Sequence, residues 1–283
     1  MATAPMQTPD GISLHVRDWA LAPGARRRGA LLIVHGLGEH SGRYAHVAEL
    51  MNSLGLHVRG YDHRGFGRSS GARAQIPSRE TLVDDAKLVF DRLAADATAA
   101  GDKLPPFLLG HSMGGAIAAR AVTGGGIAPR GLVLSSPALK TRLGGLLYAF
   151  TAAAERIVPN LASPHGLPLH KISHDLDVVA QAFADPLNHA LITPRLAMFI
   201  AAAGPQAVLD APGLKTPTLL LAAGDDRLVD VQGARDFAAR APAALCTLKI
   251  YDGLYHEIFN ERAADRARVL ADLKAWMVQQ LGG

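Results

Sequence analysis

Two rhythms of apolar residues alternate along this chain. Short unbroken runs, at Ala30–Val34, Leu56–Val58, Pro106–Leu109, Leu132–Leu134, Thr218–Leu221 and Leu245–Tyr251, are separated by stretches where apolar side chains recur every three or four residues. A run without alternation suits a strand buried on both faces, the mark of a parallel sheet, whereas the longer spacing marks an amphipathic helix. Leu82, Val89, Phe90, Leu93 and Ala97 form one helical stripe within 78–100. Val269, Leu270, Leu273, Trp276 and Met277 form another that stops before Gly282. Ahead of the first run, Thr8-Pro9-Asp10-Gly11 has turn chemistry, and Ile12, Leu14 and Val16 alternate with polar residues as in a half-buried strand. An antiparallel entry hairpin followed by strand–helix alternation predicts an α/β fold, with an open, doubly wound, mostly parallel sheet.

The rhythm breaks between Pro137 and about Pro212. That stretch carries helical patterns punctuated by Pro159, Pro164, Pro168, Pro186 and Pro194, and no convincing strand. It is too long for a structureless loop. It also follows a strand end, where ligands of such sheets bind. The division expected is a core of residues 1–136 and 213–283, with a helical cap at 137–212. Inside the cap, Leu146, Leu147, Phe150, Ala153, Ala154 and Ile157 share one helical face, opposite Tyr148, Thr151, Ala152 and Glu155. The simplest expectation is that this stripe packs down on the core.

A chain of 283 residues holds one large domain plus such an insertion. The net charge is +4, and the one basic run, Arg26-Arg27-Arg28, is too short for a nucleic-acid footprint, so no nucleic-acid partner is expected. The single cysteine, Cys246, excludes an internal disulfide and a multi-cysteine metal site, and its apolar surroundings read as a buried strand. The first residues lack a basic start followed by an apolar stretch, and no run reaches the roughly 18 apolar residues that span a bilayer. A cytoplasmic protein is the expectation.

The strongest chemical signal is Gly110-His-Ser112-Met-Gly114, followed by Gly115, between the run ending at Leu109 and the helical Ala116–Arg120. This is G-x-S-x-G at a strand-to-helix turn, the setting in which the motif presents a nucleophilic serine. A serine hydroxyl is a weak nucleophile and needs a base, which itself needs orienting by an acid. In folds of this type the partners follow in the order Ser, acid, His, each after a strand. Of twelve histidines, His256 alone lies beyond the late strands. The acid falls in the loop Ala223-Gly-Asp225-Asp226, where order does not separate the two aspartates. An oxyanion hole is expected from the N–H of Met113, after the serine, and from that of Leu37 in the loop His35-Gly36-Leu37-Gly38.

The segments His35-Gly-Leu-Gly-Glu-His-Ser-Gly-Arg-Tyr44 and Gly110-His-Ser-Met-Gly-Gly115 resemble the monoacylglycerol lipase and lysophospholipase-like branch of the α/β-hydrolases. So do Tyr61-Asp-His-Arg-Gly-Phe-Gly-Arg-Ser69, Ala184-Asp-Pro-Leu187, Asp226-Arg-Leu and Tyr255-His-Glu-Ile-Phe-Asn-Glu261. The resemblance runs nearly end to end. It implies a serine esterase acting on acyl esters, foremost monoacylglycerols, without a cofactor or metal, and it selects Asp226 as the acid. It further implies that Glu39 and Arg43 line the polar end of the pocket, against the plainer reading of an i,i+4 ion pair. By the same resemblance Leu147 and Phe150 would line an acyl tunnel or touch a lipid surface. Phe66 stands where relatives often carry His, and Arg79 where an aromatic residue is common, departures that bear on substrate rather than reaction.

Other chemistries fit less well. Gly36-Leu-Gly38 and Gly65-Phe-Gly67 open like dinucleotide fingerprints, but Ser41 and Ser70 take the place of the third glycine. His170 and His174 are four apart, yet Lys171 replaces the glutamate of a zinc-binding H-E-x-x-H. Lysophospholipase, thioesterase, general carboxylesterase and acyltransferase chemistry share the same acyl-enzyme. A catalytically silent ligand receptor is the alternative from another class, and covalent labelling of Ser112 discriminates it.

Overall fold

The computed structural model describes residues 4–282, so the reading of the first three residues lies outside it. A small hairpin pairs β1 (Met6–Gln7) with β2 (Ser13–Leu14), and β3 (Val16–Trp19) follows. The alternating strand read across 12–16 thus divides at His15, its first half closing the hairpin and its second joining the main sheet. The chain continues through β4 (Gly29–Val34), α1 (Ala45–Ser53), β5 (Leu56–Tyr61), α2 (Thr81–Ala99), β6 (Phe107–His111), α3 (Met113–Thr123) and β7 (Leu132–Ser135). Then come α4 (Gly145–Ile157), β8 (Ser163–Pro164), α5 (Leu176–Ala184), β9 (Leu191–Ile192), α6 (Pro194–Asp210), β10 (Thr218–Ala223), α7 (Gln232–Arg240), β11 (Cys246–Tyr251) and α8 (Ala263–Leu281).

The seven-stranded sheet has the order β11-β10-β7-β6-β4-β5-β3, parallel except for β3, which runs antiparallel to β5. Alternate residues of the central strands enter separate cores. Leu32, Val34, Leu108, Leu134 and Leu220 face α2, α3 and α6, whereas Leu31, Ile33, Leu109, Val133 and Leu221 face α1 and α8. Both faces are covered, which is why these strands read as unbroken apolar runs. Edge strand β11 departs from that reading. Cys246, Leu248 and Ile250 pack against one core while Thr247 and Lys249 are exposed, so Cys246 is only partly buried.

The stretch 137–212 is not uniform. Helix α6 is capped by the Thr193 hydroxyl, which accepts from Leu196 N–H at 3.3 Å, and buries Leu196, Phe199, Ile200 and Ala203 against the core. Helices α4 and α5 bury no residue. β8 and β9 also pair antiparallel, where helical pattern alone was expected. The apolar stripe of α4 does not pack on the core. Leu146 is 89% exposed, Phe150 71% and Ile157 79%. On the opposite face Tyr148 is exposed while Thr151, Ala152 and Glu155 are half-buried, and Glu155 is held by Arg79, whose Nε donates to its Oε1 at 2.8 Å. Among the described residues no helix is long and apolar enough to cross a membrane.

Candidate active site

The turn from β6 into α3 puts Ser112 at φ 54°, ψ −120°, a conformation that costs a side-chain-bearing residue about 1–3 kcal/mol. Neighbouring glycines make it sterically feasible. A Cβ at Gly110 would lie 2.3 Å from the Gly114 carbonyl oxygen, and one at Gly114 would lie 2.2 Å from that of Val34. The spacing of the motif is therefore dictated by backbone approach, and its result is a hydroxyl raised at the N-terminus of α3, where unpaired N–H groups favour negative charge.

His256 reaches Ser112 from the loop after β11. Its Nε2 lies 2.8 Å from Ser112 Oγ and its Nδ1 2.6 Å from Asp226 Oδ2. Because a carboxylate only accepts, Nδ1 carries the proton and Nε2 is free to accept from the serine hydroxyl. Asp226, from the loop after β10, is fixed through Oδ1 by the N–H groups of Leu228 at 2.8 Å and Val229 at 3.0 Å. Burial pushes the Asp226 carboxyl up, but the His256 ring and these two N–H donors outweigh it and keep the group ionised. Burial likewise disfavours charge on His256, and the Asp226 carboxylate overcomes it, raising the imidazole above its usual range. Asp225 turns away and pairs with Arg227 Nη2 at 2.6 Å, so only one of the two adjacent aspartates meets the histidine.

The loop after β4 approaches closely: a Cβ at Gly36 would stand 3.1 Å from the Ser112 Cβ. His63 N–H donates to His35 Nε2 at 2.9 Å and its ring nitrogen Nε2 bonds the His35 carbonyl at 3.0 Å, pinning the loop from beneath. Burial holds His35 down to about 4, and so neutral. Among the described residues the N–H groups of Leu37 and Met113 have no acceptor, which leaves both as donors beside Ser112.

Glu39 and Arg43 form the i,i+4 pair, at 2.9 Å, and also line the cavity at Ser112, so both readings of them apply. Glu39 Oε1 accepts from Gly36 N–H and from the Tyr44 hydroxyl, each at 2.6 Å. Arg43 grips Glu257 with two bonds of 2.7 Å. Glu257 was missed as a site residue from pattern alone, although it sits in the segment Tyr255–Glu261 that carries part of the family resemblance. His111, inside the serine motif, stands with its ring 4.9 Å from that of His256. Burial and the His256 charge hold it near 4.

Two cavities meet at Ser112. One, of about 250 Å³, is the more polar, with His256, Glu257, Glu39, Arg43 and Asp185 on its wall among apolar side chains such as Leu169 and Ile172. The other, of about 360 Å³, is mostly apolar, with Leu37, Met113, Leu143, Leu147, Ile200 and Val229 among its lining. Leu147 therefore reaches the apolar cavity. Phe150 lines neither of the two.

Residues 25–263 match the family described as serine aminopeptidase, S33. The chain is 35% identical over 266 residues to a monoacylglycerol lipase of Mycolicibacterium smegmatis, covering 92% of this chain and 91% of that protein. It is 32% identical over 277 residues to human monoglyceride lipase, covering 96% of this chain and 88% of that protein. The crystal structure of Paleococcus ferrophilus monoacylglycerol lipase superposes with a TM-score of 0.83 at 32% identity, over 94% of this chain and 99% of the other. The chain therefore belongs to the serine aminopeptidase S33 family of α/β-hydrolases, in its monoacylglycerol lipase-like branch of serine ester hydrolases.

Proposed function

We propose that this enzyme hydrolyses monoacylglycerols to fatty acid and glycerol through an acyl-enzyme on Ser112. Ser112 Oγ attacks the ester carbonyl as its proton passes to His256 Nε2, while Asp226 orients the ring and stabilises the imidazolium. The N–H groups of Leu37 and Met113 bind the developing oxyanion, where preorganised donors act most strongly. His256 then returns the proton to the departing glycerol oxygen, and water releases the fatty acid by the reverse route.

The meeting of two unlike cavities at Ser112 carries this reading. A leaving group must lie on the side of the base that protonates it, and His256 belongs to the polar cavity. The acyl chain then falls in the apolar cavity, where each buried CH₂ contributes about 0.8 kcal/mol. The names of the relatives agree with this choice of substrate. The stretch 137–193 acts as the cap in this reading, with the exposed stripe of α4 meeting lipid surfaces transiently in a cytoplasmic setting. Burying Phe150, Ile157 or Leu146 in lipid is worth about 1.5–3 kcal/mol each.

A fluorophosphonate tests the chemistry, and a panel of monoacylglycerols, lysophospholipids, acyl thioesters and p-nitrophenyl esters tests the substrate. Ser112 is expected to be labelled, Ser112→Ala to lose both label and activity, and monoacylglycerols to lead the panel. A chain that neither reacts with the probe nor turns over any ester is the silent receptor instead.

A further inference from the structure

The polar cavity carries a charge imbalance. Three carboxylates, Glu39, Glu257 and Asp185, line it against one guanidinium, that of Arg43. Arg43 is already engaged by both glutamates, at 2.9 Å and 2.7 Å, so its single charge is shared between two carboxylates. The remaining basic groups do not redress the balance. Burial keeps the His111, His165 and His189 rings below their usual range and neutral. His40 bonds Asp185 at 2.8 Å from outside the cavity wall. The charge on His256 is matched by Asp226.

One further feature favours a cation. Phe183, 63% exposed, contributes an aromatic side chain to the wall, a surface that attracts an organic cation.

We propose that this cavity takes cationic as well as neutral alcohol groups and rejects anionic ones, making fatty acyl esters of amino alcohols a second substrate class. The inference rests on the acyl-enzyme reading of Ser112 and deepens it on the leaving-group side. The chemistry is unchanged. The Ser112 Oγ–acyl bond forms, the ester C–O bond breaks, the proton on His256 Nε2 goes to the amino alcohol oxygen, and water then cleaves the acyl-enzyme.

The test compares kcat/KM for three soluble esters of one acyl chain: 1-decanoylglycerol, O-decanoylcholine and 1-decanoylglycerol 3-phosphate. A shared chain holds the apolar cavity constant, so differences report the alcohol side alone. The choline ester is expected within about tenfold of the glycerol ester, and the phosphate at least on the order of 10²-fold below it, the scale of a like-charge clash in a partly desolvated site. Asp185→Asn is expected to lower the choline-to-glycerol ratio and raise the phosphate-to-glycerol ratio. A phosphate ester cleaved as fast as the glycerol ester, or a choline ester 10²-fold slower, overturns the proposal while leaving the esterase reading intact. Failure of all three esters, with Ser112 unlabelled by a fluorophosphonate, overturns the acyl-enzyme reading and this proposal with it.

Discussion

The N–H of Glu257 donates to the carbonyl oxygen of Ile172 at 2.8 Å, joining the residue after His256 directly to the stretch between β8 and α5. A second tie runs beside it. The fully buried Glu261 carboxylate accepts from Tyr255 N–H at 2.8 Å, from His174 N–H at 3.0 Å and from the His174 ring at 2.9 Å. One carboxylate thus fixes both the loop that carries His256 and the base of the cap.

Glu261→Gln therefore has a defined consequence. The amide keeps one acceptor but turns an N–H₂ toward groups that themselves donate, leaving buried donors unpaired at about 1–3 kcal/mol each. The melting temperature is expected to fall by several degrees, and kcat/KM to fall by the same factor for every acyl chain length. Thermal unfolding and a chain-length series check this, and an unchanged melting temperature contradicts it.

Asp226 and Asp225 make a sharper pair. Asp226→Asn removes the acceptor that holds the His256 tautomer, and kcat is expected to drop on the order of 10⁴-fold. Asp225→Asn breaks only an exposed pair with Arg227, worth about 0–1 kcal/mol, and should leave kcat within a few-fold. Steady-state assays of the two variants side by side decide the matter, since reversed effects would reassign the acid.

The acid limb of the pH profile follows from His256. Only its neutral ring accepts the serine proton, so kcat/KM should rise with pH through one ionisation above the ordinary imidazole value of about 6.5. Stability linkage gives the raised group the opposite sign. Its contribution is fully present below about 6.5 and is lost as pH climbs through the higher folded value. His35 and His111 act the other way. The unfolded chain protonates them near 6.5, whereas the folded rings resist to about 4, so they cost stability as pH falls between those values. Melting temperature should accordingly fall between pH 6.5 and pH 5 while Glu257→Gln, which removes a nearby negative charge, shifts the kinetic limb to lower pH.

The centre of the sheet was legible because its strands there are buried on both faces, and burial on both faces writes itself as unbroken apolar runs, whereas edge strand β11 exposes Thr247 and Lys249. Ser112 was legible because the elbow tolerates only glycine at 110 and 114, a steric demand with a fixed spacing. His256 followed from chain order. Asp226 did not, since two adjacent aspartates differ only in which way their side chains turn. Glu257 was hidden for a related reason: its partner Arg43 lies more than two hundred residues away in sequence, and no local periodicity marks so distant a pair. The α4 stripe was misjudged because 3.6-residue spacing reveals that a face is apolar without revealing what covers it.

Leu147 and Phe150 separate the two uses that remain for that stripe. They lie three residues apart on α4, but Leu147 lines the apolar cavity whereas Phe150 is 71% exposed and lines neither cavity at Ser112. Leu147→Ser puts a hydroxyl where acyl methylenes would pack. It should lower kcat/KM for dissolved decanoyl esters by about tenfold or more, with acetate and butyrate esters little affected. Phe150→Ser leaves that cavity alone and should spare every dissolved ester. On monoacylglycerol presented in vesicles it should lose activity several-fold, because the side chain that would enter the lipid is gone. Neither change empties a packed core, so both melting temperatures should stay within a degree or two of the parent. Equal losses on dissolved and vesicle substrates for Phe150→Ser, or a marked fall in its melting temperature, would return the stripe to a structural role.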